Sequence, residues 1–296
     1  MTVEWNTVEA RYPAVSRLDP YVEWSLGPGR PHYFLPGRQA YWVPILLRLE
    51  GIKPRDFADG TDFIGSTFVA DWRKSLRIAQ PYLKREEANG YVSALASEKF
   101  FEAMQANPKV RELARRVALG LPLTQDSLPL YDDPPWFDSR PPHNTPPAAK
   151  SVVIGVIDDG IAFAHERFRT DAGTRIEYWW LQDGHYIGPT SSVSTGCELT
   201  KGEIDNRLNG CTSGGVLDEE LFYASVGLID FGQDRHKTAA WRAAHGTHVM
   251  DVACGFDAVP PRYDRPIVAV QLPVGVTADT SGGNLFPYVA VAMDYI

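Results

Sequence analysis

Apolar positions along this chain fall into a few dense runs, separated by polar and proline-rich stretches. Tyr41 to Leu49 is almost wholly apolar and is closed by Gly51, the pattern of a strand. Tyr91 to Leu95 is a second strand candidate. Ser97 stands where it caps a helix from Glu98, and Phe100, Phe101 and Met104 recur at helical spacing to give that helix one apolar face. Asn107-Pro108 ends it, and Val110 begins a further extended or mixed segment. Residues 40–123 therefore read as a small α+β module. Residues 1–39, rich in proline, glycine and aromatics and without a clear period, read as an irregular arm.

The stretch 124–149 holds Pro134-Pro135, Pro141-Pro142 and Pro146-Pro147, and reads as an extended linker and domain boundary. Beyond it the pattern changes. Val152 to Ile157 is a β-branched run interrupted only by Gly155, and its continuous rather than alternating apolarity suits a parallel strand covered on both faces. Ile267 to Leu272 is a second such strand. Phe286 to Ile296 reads as a helix with Val289, Met293 and Ile296 on its apolar stripe. That helix stops in mid-pattern without a capping glycine, which reads as a cut rather than a domain end. Alternating strands and helices over 150–296 predict an α/β fold with a parallel sheet flanked by helices.

Composition narrows the function classes. The formal net charge of -8 lacks the basic footprint that phosphate binding needs, so no nucleic-acid partner is expected. No stretch approaches the roughly 18 uncharged apolar residues of a membrane span, so no membrane partner is expected either. Met1 to Asn6 has neither a basic start nor an apolar core, which makes the cytoplasm the simplest compartment. Three cysteines are too few for a disulfide scaffold, and Cys197 and Cys211 are expected as free thiols.

Two short motifs carry candidate chemistry. Val152 to Ile157 ends in Asp158-Asp159-Gly160-Ile161, placing a carboxylate at the carboxyl end of a strand, where sites gather in open parallel sheets. Asp158 reads either as a turn former or as the carboxylate that orients a catalytic histidine. His245-Gly246-Thr247-His248-Val249 opens a predicted helix, and Gly246 removes side-chain bulk beside the first imidazole. Two histidines about a turn apart also suit a metal. The zinc-protease pattern, however, needs a glutamate after the first histidine and a second histidine four residues on; the sequence has Gly246 and a spacing of three. No metal or other cofactor is expected, and His248 reads as a structural histidine.

Taken together, these motifs resemble the subtilisin-like serine peptidases. The strand ending in Asp158-Asp159-Gly160 resembles the family's aspartate motif, and His245-Gly246-Thr247-His248-Val249 its histidine motif, in the family's order of Asp, His, then Ser. His165 and Phe168 resemble positions just downstream of the first motif. The resemblance implies a subtilisin-like sheet over 150–296, Asp158 and His245 as catalytic residues, and Asp159 and His248 as neighbours outside the triad. It implies a propeptide-like role for 40–123, for which an unrelated accessory domain is the alternative. Thr280 to Asn284 resembles the family's loop before a substrate-facing helix.

The chain departs from the family in two places. Compact members hold the two motifs closer together, so an insertion is expected over about 174–237, carrying Tyr178-Trp179-Trp180, the Cys197/Cys211 loop and Asp218-Glu219-Glu220. No Gly-Thr-Ser motif is present, and the candidate serines are Ser191, Ser192, Ser194, Ser213 and Ser225, all before His245, and Ser281 after it. The expectation is a serine endopeptidase acting on a protein or peptide substrate. It is represented here by the part that carries Asp158 and His245, inert until joined by a serine-containing C-terminal part. The alternative is an inactive or split binding and regulatory protein built on the same half-domain.

Overall fold

The computed structural model describes residues 42–78, 80–123, 151–184, 195–229, 244–255, 265–278 and 281–296, with Val22, Leu128 and Val193. Those two positions, Val22 and Leu128, apart, the arm expected over 1–39 and the linker expected over 124–149 lie outside the described residues. The chain divides into two compact units, Met1–Leu123 and Thr124–Ile296.

In the first unit, β1 (Val43–Leu49) is followed by α1 (Pro54–Asp59), α2 (Val69–Ser75) and β2 (Leu76–Ile78). A short α3 (Gln80–Leu83) leads to β3 (Gly90–Ala96), and α4 (Glu98–Ala106) and α5 (Pro108–Leu113) lead to β4 (Ala114–Leu119). The sheet order is β2-β3-β1-β4 with every neighbouring pair antiparallel. This is the interleaved β-α-β-β-α-β arrangement. The α4 face forms as its spacing predicts, with Phe100, Phe101 and Met104 buried. An aromatic cluster fills the space under the helices: Trp72 meets Phe57 edge-on at 5.3 Å and Phe63 at 5.5 Å, and its indole N–H donates to the Phe57 carbonyl at 2.9 Å.

Two local expectations change. The segment from Val110 is helical before it is extended, because Asn107 both closes α4 and caps α5, its side chain accepting the Lys109 N–H, with Pro108 preset for the first turn. Ser97 stands at the N-cap of α4 as expected, but its side chain makes no capping hydrogen bond; its hydroxyl donates to the Ser75 carbonyl at 3.2 Å.

The second unit is built on a sheet of order β5-β12-β8-β9. After β5 (Ile154–Asp158), a 3-10 turn (Glu166–Phe168) and the hairpin β6 (Arg169–Thr170) and β7 (Gly173–Thr174) lead to β8 (Ile176–Leu181). Then come β9 (Cys197–Thr200), α6 (Lys201–Gly210), the hairpin β10 (Thr212–Ser213) and β11 (Val216–Leu217), and α7 (Glu219–Ser225). The order closes with α8 (His245–Cys254), β12 (Ile267–Gln271), α9 (Val274–Thr277) and α10 (Phe286–Tyr295). β12 runs parallel to both β5 and β8, and β9 pairs antiparallel with β8. The result is a mixed α/β unit with a mixed sheet.

Both faces of β12 are covered, as its continuous apolarity requires, whereas β5 is an edge strand that starts only at Ile154, with Val152 and Val153 before it exposed. Adjacent residues of β8 point to opposite sides. Trp179 joins Phe163, Leu199, Phe222, Tyr223 and Met250 on one face; Trp180 joins Val268, Val270, Ala292 and Tyr295 on the other. The segment expected as an insertion over 174–237 therefore begins with a strand of the sheet itself, and Tyr178-Trp179-Trp180 belongs to that strand. Among the described residues beyond it, β9 adds a further strand to the sheet, and two helices are well signalled. Thr200 and Glu203 form a capping box on α6, and Asp218 caps α7, accepting the Leu221 N–H, with Glu219 and Glu220 in its first turn.

The expected stripe on α10 is corrected. Met293 and Ile296 are exposed, and the buried residues are Pro287, Tyr288, Ala292 and Tyr295. The tyrosines have partners to reach: Tyr295 lies 5.1 Å from Trp180 and donates its hydroxyl to Glu198 at 2.7 Å.

Cys197, Cys211 and Cys254 are free. Burial pushes the Cys197 thiol up to about 12 and the Cys254 thiol up to about 11. Since the thiolate is the reactive form, a thiol reagent at pH 8 is expected to label the half-buried Cys211 and to reach the other two only on unfolding, as read by mass spectrometry. Among the described residues no helix is long and apolar enough to cross a membrane.

Candidate functional site

Asp158 is the last residue of β5 and His245 the first of α8. The sheet places the carboxylate at the carboxyl ends of its parallel strands, and α8 packs back over β5 so that its first turn meets that end. Nδ1 of His245 and Oδ1 of Asp158 lie 2.8 Å apart. A carboxylate only accepts, so Nδ1 carries the proton and Nε2 is the basic nitrogen. Asp158 is mostly enclosed, with 16% of its side chain accessible, whereas the imidazole is 73% accessible. The same carboxylate oxygen accepts the Asp159 N–H at 2.8 Å, which holds it facing the ring.

The close meeting of helix and strand explains the small residues in the motif. A Cβ on Gly246 would stand 2.2 Å from the Asp159 carbonyl oxygen and 2.8 Å from Cγ1 of Ile161. With glycine there, the Gly246 N–H donates to that carbonyl at 2.8 Å. Thr247 then ties the helix to the acidic turn. Its hydroxyl donates to the Gly160 carbonyl at 2.7 Å and accepts the Ala162 N–H at 2.7 Å. Gly160 takes φ of 59°, a conformation glycine adopts without a Cβ clash. Thr247 is the residue that sequence reasoning passed over; its place beside Gly246 was the only available signal.

The far end of α8 is anchored too. Buried Arg175 donates to the Cys254 carbonyl at 2.6 Å and to the Arg265 carbonyl at 3.0 Å, and Arg167 pairs with Asp251. His165 accepts the Arg167 N–H and so starts the 3-10 turn that buries Phe168. Its observed part is thus structural.

The neighbouring candidates sort differently. Asp159 contributes its charge to His245 but no hydrogen bond to the ring. His248 is exposed. Asp158, Asp159 and His245 offer ligand atoms within 4.8 Å of one another. The 2.8 Å contact is a direct hydrogen bond; a tetrahedral zinc with bonds of about 2.0 Å would hold such atoms about 3.3 Å apart. Ser213 is exposed in a hairpin, Ser225 donates to the Phe222 carbonyl, and Ser281 accepts the Gly283 N–H. Ser191, Ser192, Ser194 and Thr280 lie outside the described residues. Among the described residues, no serine is hydrogen-bonded to His245.

The pair's electrostatics have a definite sign. The hydrogen bond to Asp158 is the largest cause that raises the His245 pKa above its ordinary 6.5; the Asp158 charge adds to it, desolvation opposes it, and the Asp159 charge adds a little. The protonated pair therefore favours the folded state below pH 6.5, and that contribution fades as pH rises through the higher folded value. Asp158→Asn is expected to move the His245 midpoint downward, which an NMR titration of the ring Cε1–H reads directly. An unchanged midpoint would mean that the carboxylate does not act on the ring.

No protein-family model matches this sequence, and none of the curated proteins is a match to it.

Proposed function

We propose that this chain carries the aspartate and histidine of a subtilisin-like serine endopeptidase, with the nucleophilic serine supplied by a further, serine-containing part. The observation that carries the reading is the 2.8 Å contact between Asp158 and Nδ1 of His245, with the ring otherwise open to solvent. In this reading the exposed Nε2 takes the proton of the serine hydroxyl as its oxygen attacks the peptide carbonyl, then returns a proton to the leaving amine. Asp158 keeps the ring in the tautomer with Nδ1–H and stabilises the imidazolium that forms. The parallel strands β5, β12 and β8 with Asp158 at a carboxyl end support a subtilisin-like sheet, and the compact antiparallel unit before it suits a propeptide-like module. The substrate is a protein or peptide, and no cofactor enters the chemistry.

The test is peptidase activity of the natural gene product, or of this chain joined to a serine-containing part, against the same preparation carrying His245→Ala. Full activity in the variant would sink the reading. A second reading, an inactive or split binding protein, is favoured by the lack of any described serine on His245. An intact natural product with no peptidase activity and no labelling by a fluorophosphonate would support it.

A further inference from the structure

The turn from Asp158 to Ala162 follows the strand bearing the carboxylate and packs against the first turn of the helix bearing the imidazole, and its backbone is held from two sides. From the helix, Gly246 donates to the Asp159 carbonyl, and Thr247 bonds the Gly160 carbonyl and the Ala162 N–H. From the sheet, one side chain reaches the turn: Oε1 of Gln271 accepts the Ile161 N–H at 3.0 Å.

Gln271 is the last residue of β12 and the register partner of Asp158. The next residue, Leu272, donates its N–H to the Asp158 carbonyl at 2.8 Å, so strand β12 fixes the Asp158 backbone and the Gln271 side chain fixes the turn that follows. Gln271 is fully buried, at 0% exposure, in a strand whose other members are Ile267, Val268, Ala269 and Val270. An aliphatic residue there would avoid burying an amide. The N–H it satisfies is what the amide is for: without it, Ile161 would leave a buried donor unpaired.

We propose that Gln271 is a positioning residue for the Asp158–His245 pair, holding the acidic turn so that the carboxylate meets Nδ1 of the imidazole. Both charged groups that act on His245, Asp158 and Asp159, sit at the start of this turn. A shift of the turn by 1 Å or so converts a direct hydrogen bond into none. The catalytic meaning of the inference rests on the peptidase reading; the geometric claim stands without it.

The test uses this chain and needs no activity. In Gln271→Met, shown folded by circular dichroism, the His245 titration midpoint is expected to fall most of the way from the wild-type value to that of Asp158→Asn. Gln271→Glu keeps an oxygen where the Ile161 N–H points, and its midpoint is expected at or above wild type. A folded methionine variant with the wild-type midpoint overturns the proposal, as does a glutamate variant that falls as far as methionine. Should Gln271→Met not fold, Gln271→Asn, which keeps the amide but is too short to reach Ile161, takes its place with the same expectation. A failure of the peptidase reading shows elsewhere, as activity retained in His245→Ala, and leaves these midpoints unaffected.

Discussion

His245→Ala, introduced into a peptidase-competent form of this protein, is expected to lower kcat by about 10⁶-fold, and Asp158→Asn by about 10⁴-fold. The histidine is the larger loss because it moves the proton in both halves of the reaction; without it the serine hydroxyl has no base. The aspartate acts through the histidine. Its carboxylate, 2.8 Å from Nδ1, leaves Nε2 as the lone-pair nitrogen, and an asparagine amide in its place can hold the opposite tautomer. Asp159→Asn is expected to change kcat less than tenfold or so, since Asp159 reaches His245 by charge alone. Turnover of a fluorogenic peptide checks all three. If Asp159→Asn were the more damaging of the two aspartate variants, the assignment of Asp158 as the orienting carboxylate would fail. With the His245 pKa raised, the acid limb of activity is expected above pH 6.5, and it moves down in any Asp158→Asn activity that remains.

Gly246→Ala is the second change with a large expected effect, and it acts on stability and site together. The new methyl would stand 2.2 Å from the Asp159 carbonyl oxygen and 3.0 Å from the Asp158 Cβ, both on the strand end that α8 is packed against. Neither neighbour is the tip of a flexible side chain, so the helix must back away. The expected loss is about 2–3 kcal/mol of unfolding free energy, or about 5–10 °C in Tm for a unit of this size, measured by denaturant and thermal unfolding. The same displacement opens the Nδ1–Oδ1 contact, so the His245 midpoint should fall with the stability. A stable variant with an unmoved midpoint would show that the helix and turn are not in the close contact described.

Some of this was legible in the residues because local rules suffice. The apolar runs ending in Asp158 and around Ile267 form strands, the Phe100/Phe101/Met104 stripe forms a buried helix face, and His245 opens a helix. Other features were not legible, and α10 shows why. Tyr288, Ala292 and Tyr295 have the same spacing as Val289, Met293 and Ile296, one residue along. Periodicity cannot choose between two stripes of equal spacing. Trp180 and Glu198 decide it: Tyr295 meets the one with its ring and the other with its hydroxyl, a pair of contacts that no side chain of the other stripe can make. Similarly, Tyr178-Trp179-Trp180 read as part of an insertion because nothing local says that β8 pairs with β12. The Asn107-Pro108 stop was read correctly, but it is also a start, since the asparagine that ends one helix caps the next.

By itself, the sequence determined the residue types and their settings: a carboxylate closing a strand, an imidazole opening a helix, and a glycine and a threonine beside it. Those are local matters of β-branched runs, turn chemistry and helix starts. Only the tertiary structure decided that the two groups meet, because they lie 87 residues apart and their distance is set by long-range packing. β12 beside β5 fixes the Asp158 backbone, and Gly246 lets α8 approach to hydrogen-bonding range. Gln271 and Thr247 hold the turn between them. None of these contacts leaves a periodic trace in the chain, which is why Gln271 in particular was invisible until the strands were paired.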